Sequence, residues 1–300
     1  MNFSRRKKDN FTSFLFVTPL LVLFLVFFAY PIIYNIIISF YDWNGISLNK
    51  VFNGFANYKK LLTDPVMWKC FRNFLWIAVS TTIIQSVLGI VLASFFIRKI
   101  RFSGFYRILF YLPAICTPTI VGTVFSKIFE TNRGYLNVIL RAMNLDFLCQ
   151  SWLATPKTAL ICLIFVNIWQ WTGYSMLMYY TNMLNIPKDL YESATIDGAG
   201  SFKQFLYITF PLLKGTHITL ILLDILGALK FFDLSYVLTK GGPAHATETF
   251  STYIYNKSFN TFKQGEASTI VVFMFLIAMI LTVIQLKYYY KNEKEEMSGR

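Results

Sequence analysis

Six long apolar runs, at about residues 11–40, 73–97, 105–128, 158–183, 216–239 and 268–288, alternate with shorter polar stretches. A helix that crosses a bilayer needs about 20 such residues. Each run therefore predicts one membrane-spanning helix, and the chain is expected to be an all-α integral membrane protein. Arg5-Arg6-Lys7-Lys8 precedes the first run in the manner of a secretion signal. The run is far longer than the roughly 7–15 apolar residues of such a signal and has no convincing small-residue cleavage site. It is expected to remain as the first helix, with bends at Pro19 and Tyr30-Pro31. The pattern thus divides the chain into a basic N-terminus (1–10), one membrane domain (11–290) and a tail (291–300).

A polar, helix-forming island, residues 185–215, lies between the fourth and fifth runs and should stand out of the membrane as a knob. Pro187 pre-sets a first helical turn that Lys188 to Ala194 can continue. Gly198 and Gly200 break that helix. Ser201 and Gln204 have the spacing of a capping box for a second short helix, which Pro211 ends or bends. Two short helices on a tight turn suit docking in a partner's groove better than catalysis.

Polar groups inside the apolar runs are the candidates for function. In the fourth run Asn167, Gln170, Trp171, Tyr174, Met178 and Thr181 recur at three- and four-residue steps, one face of a helix. Aromatic planes and amides suit a sugar, although the same residues can hold helices together. Gln85, with Thr82 and Gly89, forms a weaker face on the second helix, read as packing. The fifth run holds Asp224, Lys230 and Asp233, and charges within a span are costly enough to be functional by default. Lys230 and Asp233 are spaced to pair. Asp224 and Asp233, nine apart, point in opposite directions unless the helix breaks near Gly227. Asp233, Phe232 and Tyr236 are assigned to the path and Asp224 to a neighbouring helix. Pro113, Pro118 and Gly122 interrupt the third run. Freed carbonyls are tolerated there only against protein or a water-filled cavity.

Composition agrees with this reading: 55% of residues are hydrophobic and 14% charged. The net charge of +13 forms no basic stripe of the kind that binds nucleic acid, and anionic lipid explains it better. Dense clusters at Arg5 to Lys8 and at Arg98, Lys99, Arg101 and Arg107 orient the chain with both termini and the 185–215 loop in the cytoplasm. Cys70, Cys116, Cys149 and Cys162 show no metal-ligand spacing, and a Cys70–Cys149 bridge is left open. No phosphate-binding GxxxxGK[ST] occurs, and His217 and His245 lie in unrelated contexts, so no catalytic residue is assigned.

Glu192-Ser193-Ala194, Asp197-Gly198-Ala199, Phe205, Ile208 and Phe210-Pro211 resemble the coupling loop of binding-protein-dependent ABC importer permeases. Ser193 stands where that family commonly has alanine. Phe55-Ala56-Asn57-Tyr58, Gly134-Tyr135-Leu136-Asn137 with Trp152, and Thr239-Lys240-Gly241-Gly242-Pro243 with Tyr253 and Gly265 resemble its carbohydrate branch, nearest the maltose/glycerol-phosphate first-permease subtype. The resemblance spans about residues 15–285 and implies a type I importer architecture. It further implies a second, different permease, two ATP-binding subunits that hold ATP and magnesium, and an extracytoplasmic solute-binding protein. The loop residues Glu192, Ser193, Ala194, Asp197, Gly198 and Ala199 would meet the ATPase in the plasma membrane of a prokaryote. The competing expectation is an ion- or proton-coupled secondary transporter, motivated by Asp224 and Asp233, though no internal repeat supports it.

Overall fold

The computed structural model describes residue 14 and residues 16–98 and 101–298, with the side chains of 288–298 outside that description. The basic N-terminus, the first residues of the first helix and Lys99 lie outside the described residues.

The first apolar run forms α1, Phe16–Ile38, with a widened π turn at Leu25–Ala29 just ahead of Tyr30-Pro31. A two-residue antiparallel hairpin follows, β1 (Tyr41–Asp42) paired with β2 (Val51–Phe52). Then come α2 (Ala56–Thr63) and the long α3 (Pro65–Phe96). The third run is two helices, α4 (Ser103–Ile115) and α5 (Pro118–Ile128), at 93° to each other. After α6 (Tyr135–Ala142), α7 (Pro156–Leu184) spans the fourth run. The knob consists of α8 (Lys188–Ile196) and α9 (Ser201–Leu212). The fifth run is again split, into α10 (Lys214–Leu229) and α11 (Asp233–Thr239). The short α12 (Phe250–Tyr255) precedes α13 (Gln264–Ser298), whose apolar part ends near Lys287. Among the described residues four helices alone are long and apolar enough to cross a membrane, and counting each bent pair as one span makes six.

The described residues fall into two compact units, residues 1–64 with 254–275, and residues 65–253 with 276–300. In the first, Asn57 is buried and its Nδ2 donates to the carbonyls of Ser39 and Tyr41, both at 2.9 Å. Tyr58 bonds the Ser39 hydroxyl at 2.7 Å. Gly265 is pressed so close to this turn that a Cβ would lie 2.0 Å from the Tyr41 carbonyl oxygen. Glu266 is ringed by lysines, bonding Lys60 and, at 2.7 Å, Lys257. The motif residues of this region thus lock a chain crossing.

In the second unit α3 packs along α7 and α10, and α4 lies against α7. Small residues allow this contact: a Cβ on Gly173 would sit 2.0 Å from the Phe110 carbonyl oxygen, and one on Gly89 would sit 2.9 Å from the Ser175 Cβ. Ile90, Phe96, Met176, Tyr179, Leu213 and Leu220 form a buried cluster at the end of the unit that carries the knob. The loop residues follow the same economy. Asn137 Nδ2 donates to Thr131 O and Gln150 O while Trp152 Nε1 donates to Asn137 Oδ1 at 2.8 Å. Among the described residues none of the four cysteines forms a disulfide.

Two local expectations are corrected. Ser201 is the first residue of α9 rather than its cap; Gly200 holds the cap position and no side chain bonds there. Gln204 turns the other way, donating to Ala199 O at 3.0 Å and Thr195 Oγ1 at 2.9 Å, because α8 lies within its reach. The fifth helix is not continuous over 216–239: Lys230 and Phe232 leave helical geometry, and Thr249 Oγ1 donates to the freed Phe231 carbonyl at 2.6 Å.

Candidate functional site: a mixed-polarity cavity and an exposed two-helix knob

A cavity of about 490 Å³ opens among α3, α7, α10 and α11. The amphipathic face of α7 contributes Asn167, Trp171 and Tyr174, the two rings meeting edge-on with centroids 6.2 Å apart. From α3 come Thr81 and Gln85, and from α10 Asp224 and Gly227. The unwound turn Lys230 to Phe232 and then Asp233 complete the wall. Gln85 Nε2 donates to the backbone carbonyl of Asn167 at 3.3 Å and to Asn167 Oδ1 at 3.1 Å. A carbonyl can only accept, so this pair of bonds fixes both amides and leaves the Asn167 NH2 for another partner.

Asn167, Trp171, Tyr174 and Asp233 line this space together. Gln170 does not. It is fully buried, and its Nε2 donates at 3.0 Å to the Cys116 carbonyl, one of those released where α4 breaks from α5. Tyr236 is also absent from the wall and stacks on Phe232 with 5.1 Å between centroids. Asp224, assigned from sequence to a neighbouring helix, lines the cavity instead, because the break at 230–232 resets the register between the two aspartates. The expected Lys230–Asp233 pair is not formed: the ion pairs among the described residues involve neither. Gln85, read as packing, both packs and lines. Thr81 was missed, although its place one turn before Gln85 was a usable sign. No group of three or more His, Cys, Asp or Glu among the described residues could hold a metal ion.

On the knob, Glu192, Ser193, Asp197 and Gly198 are exposed, while Ala194 and Ala199 are partly covered. Gly198 has φ +77°, which favours glycine, and a Cβ there would meet nothing within 4 Å. Two large apolar side chains also face outward, Ile196 at 86% and Phe202 at 77% exposure. Tyr191 OH bonds Thr209 Oγ1 at 2.8 Å and holds the two short helices together. At the base α9 meets α10 at 64° around buried Leu213. Buried Tyr179 of α7 reaches His217 Nδ1 at 2.8 Å, and His217 Nε2 faces the Phe210 carbonyl at 3.2 Å. Since the carbonyl accepts, Nε2 carries the proton and Tyr179 donates to Nδ1.

An exposed two-helix knob is thus joined to the helices that surround a cavity of mixed polarity. The family model of the binding-protein-dependent transport system inner membrane component matches residues 85–292, more than half of the chain. The chain belongs to this family. This permease is similar to the probable ABC transporter permease protein YurN of Bacillus subtilis, 36% identical over 96% of this chain and 99% of that one. It is 31% identical to the lactose transport system permease protein LacF of Rhizobium radiobacter, over 97% and 98% of the two chains. Among solved structures, a permease chain of a bacterial ABC transporter that imports the acidic polysaccharide alginate shares its fold. The TM-score is 0.82, the identity 20%, and the coverage 97% of this chain and 99% of that one. This is the type I importer permease fold, and the protein is a multi-pass inner membrane component.

Proposed function

We propose that this permease forms half of the translocation path of an ATP-driven importer for a sugar, oligosaccharide or related polyol. A second permease, a different chain, supplies the other half. Two copies of an ATP-binding subunit, where ATP and magnesium are held, seat the 185–215 loop on the cytoplasmic side, where both termini also lie. An extracytoplasmic binding protein delivers the solute at the opposite face of a prokaryotic plasma membrane. The observation that carries this reading is the cavity wall, in which Trp171 and Tyr174 offer flat faces beside the uncommitted Asn167 NH2 and two carboxyl groups. Such a wall matches the C–H faces and hydroxyls of a sugar. Lactose in the name of one relative points the same way. The relatives give no support to an ion-coupled carrier.

The knob then transmits force. Closure of the ATPases pushes α8 and α9, and the 64° junction at Leu213 passes the motion to α10 and so to the cavity wall. Replacing exposed Asp197 by Trp should leave the fold intact and abolish both ATPase co-purification and uptake. An assembled, active importer with that change would refute the assignment of the loop.

A further inference from the structure

The charges of the cavity bear on which solutes can enter it, an inference that rests on the transport reading above. Two carboxylates, Asp224 and Asp233, face one ammonium, Lys230. None of them belongs to an ion pair among the described residues. Asp224 Oδ2 is buried and has no hydrogen-bond partner. Two neighbouring donors are already committed: Gln85 Nε2 bonds Asn167, and the Thr81 hydroxyl donates to Ile77 O at 2.7 Å. A buried carboxyl oxygen without a donor is costly, so a solute O–H or N–H that enters the cavity finds an acceptor waiting.

We propose that this cavity is a charge filter. It admits neutral hydroxyl-rich solutes and those carrying an amino group, whose O–H and N–H donors the carboxylates accept. It rejects solutes bearing carboxylate, sulfate or phosphate. Asp224 and Asp233 are the specificity-determining residues, and they act on one space because the chain unwinds at Lys230 to Phe232.

The filter can be measured without knowing the natural solute. Gly227 lines the cavity and a Cβ there meets nothing within 4 Å, so Gly227→Cys places a reporter thiol in the wall. Cys116 and Cys149 are replaced by Ser, and buried Cys70 and Cys162 are retained. In the assembled importer the thiol is modified with a cationic trimethylammonium-ethyl methanethiosulfonate or its anionic sulfonate counterpart, and both rates are referred to a free thiol in solution. The cation-to-anion rate ratio should exceed that of the free thiol by about tenfold. It should fall to the free-thiol value in the Asp224→Asn, Asp233→Asn double variant and rise with Lys230→Met. Ser175→Cys, a near-isosteric change on α7 in the same wall, is the second reporter should the first not fold. A ratio at or below that of the free thiol, or one unmoved by the double variant, overturns the filter and leaves the transport reading standing. A raised ratio in an importer that takes up no carbohydrate upholds the filter and sinks the carbohydrate assignment.

Discussion

Gln170 sits on the sugar-suited face of α7 by sequence, yet it serves the backbone. Its amide occupies the corner between α4 and α5, where Pro113 and Pro118 end the hydrogen-bond ladder and leave the Cys116 carbonyl exposed at membrane depth. Losing that donor strands a part-buried acceptor, at a cost toward the low end of about 1–3 kcal/mol. Gln170→Leu should therefore lower stability by that amount in detergent unfolding while leaving the KM for solute unchanged, since the residue does not touch the cavity. Lys60 offers a pH-dependent counterpart outside the spans. Its hydrogen bond to Glu266 holds its pKa above the ordinary 10.5, outweighing the opposing effect of burial. The stabilisation is complete below the ordinary lysine value and is lost as pH rises through the raised one. Because Lys60 is largely exposed, the effect should be under about 1 kcal/mol. Lys60→Met should be measurably less stable than the parent at pH 8, and the two melting points should converge in strong alkali.

The two broken helices explain why one break was legible and the other was not. Between α4 and α5 the cause is local: prolines remove donors and crowd the preceding turn. Between α10 and α11 the sequence Lys230-Phe231-Phe232 carries no breaker, and the turn is held by Thr249, eighteen residues further on. A reading along one segment cannot see such a partner, which is why Asp224 was sent to the wrong face. The capping position of α9 was misjudged for the same kind of reason, since Gln204 is drawn to α8 rather than to its own helix start. At the junction of α9 and α10, the bond from Tyr179 to His217 ties the base of the knob to α7. Tyr179→Phe keeps the ring and removes the bond. It should lower the number of solute molecules moved per ATP hydrolysed severalfold in proteoliposomes, with ATPase binding unchanged.

At the scale of the molecule, the apolar runs and the polar island were readable because a bilayer imposes length and composition so strongly. The loop motifs were readable as a family pattern, but their physical meaning emerges only in three dimensions. Asn57 and Gly265 close one chain crossing, and Asn137 with Trp152 ties another loop. The cavity was half visible in the period of α7, while its opposite wall required the tertiary break in the fifth span. The glycine contacts carry a mechanical implication. Where Gly173 meets the Phe110 carbonyl and Gly89 meets Ser175, α3, α4 and α7 approach so closely that no side chain larger than serine separates them. In the transport reading proposed above, those three helices are the stator. A stroke delivered at Leu213 would then be taken up by α10 and α11, and the gate would swing on the side that carries the aspartates.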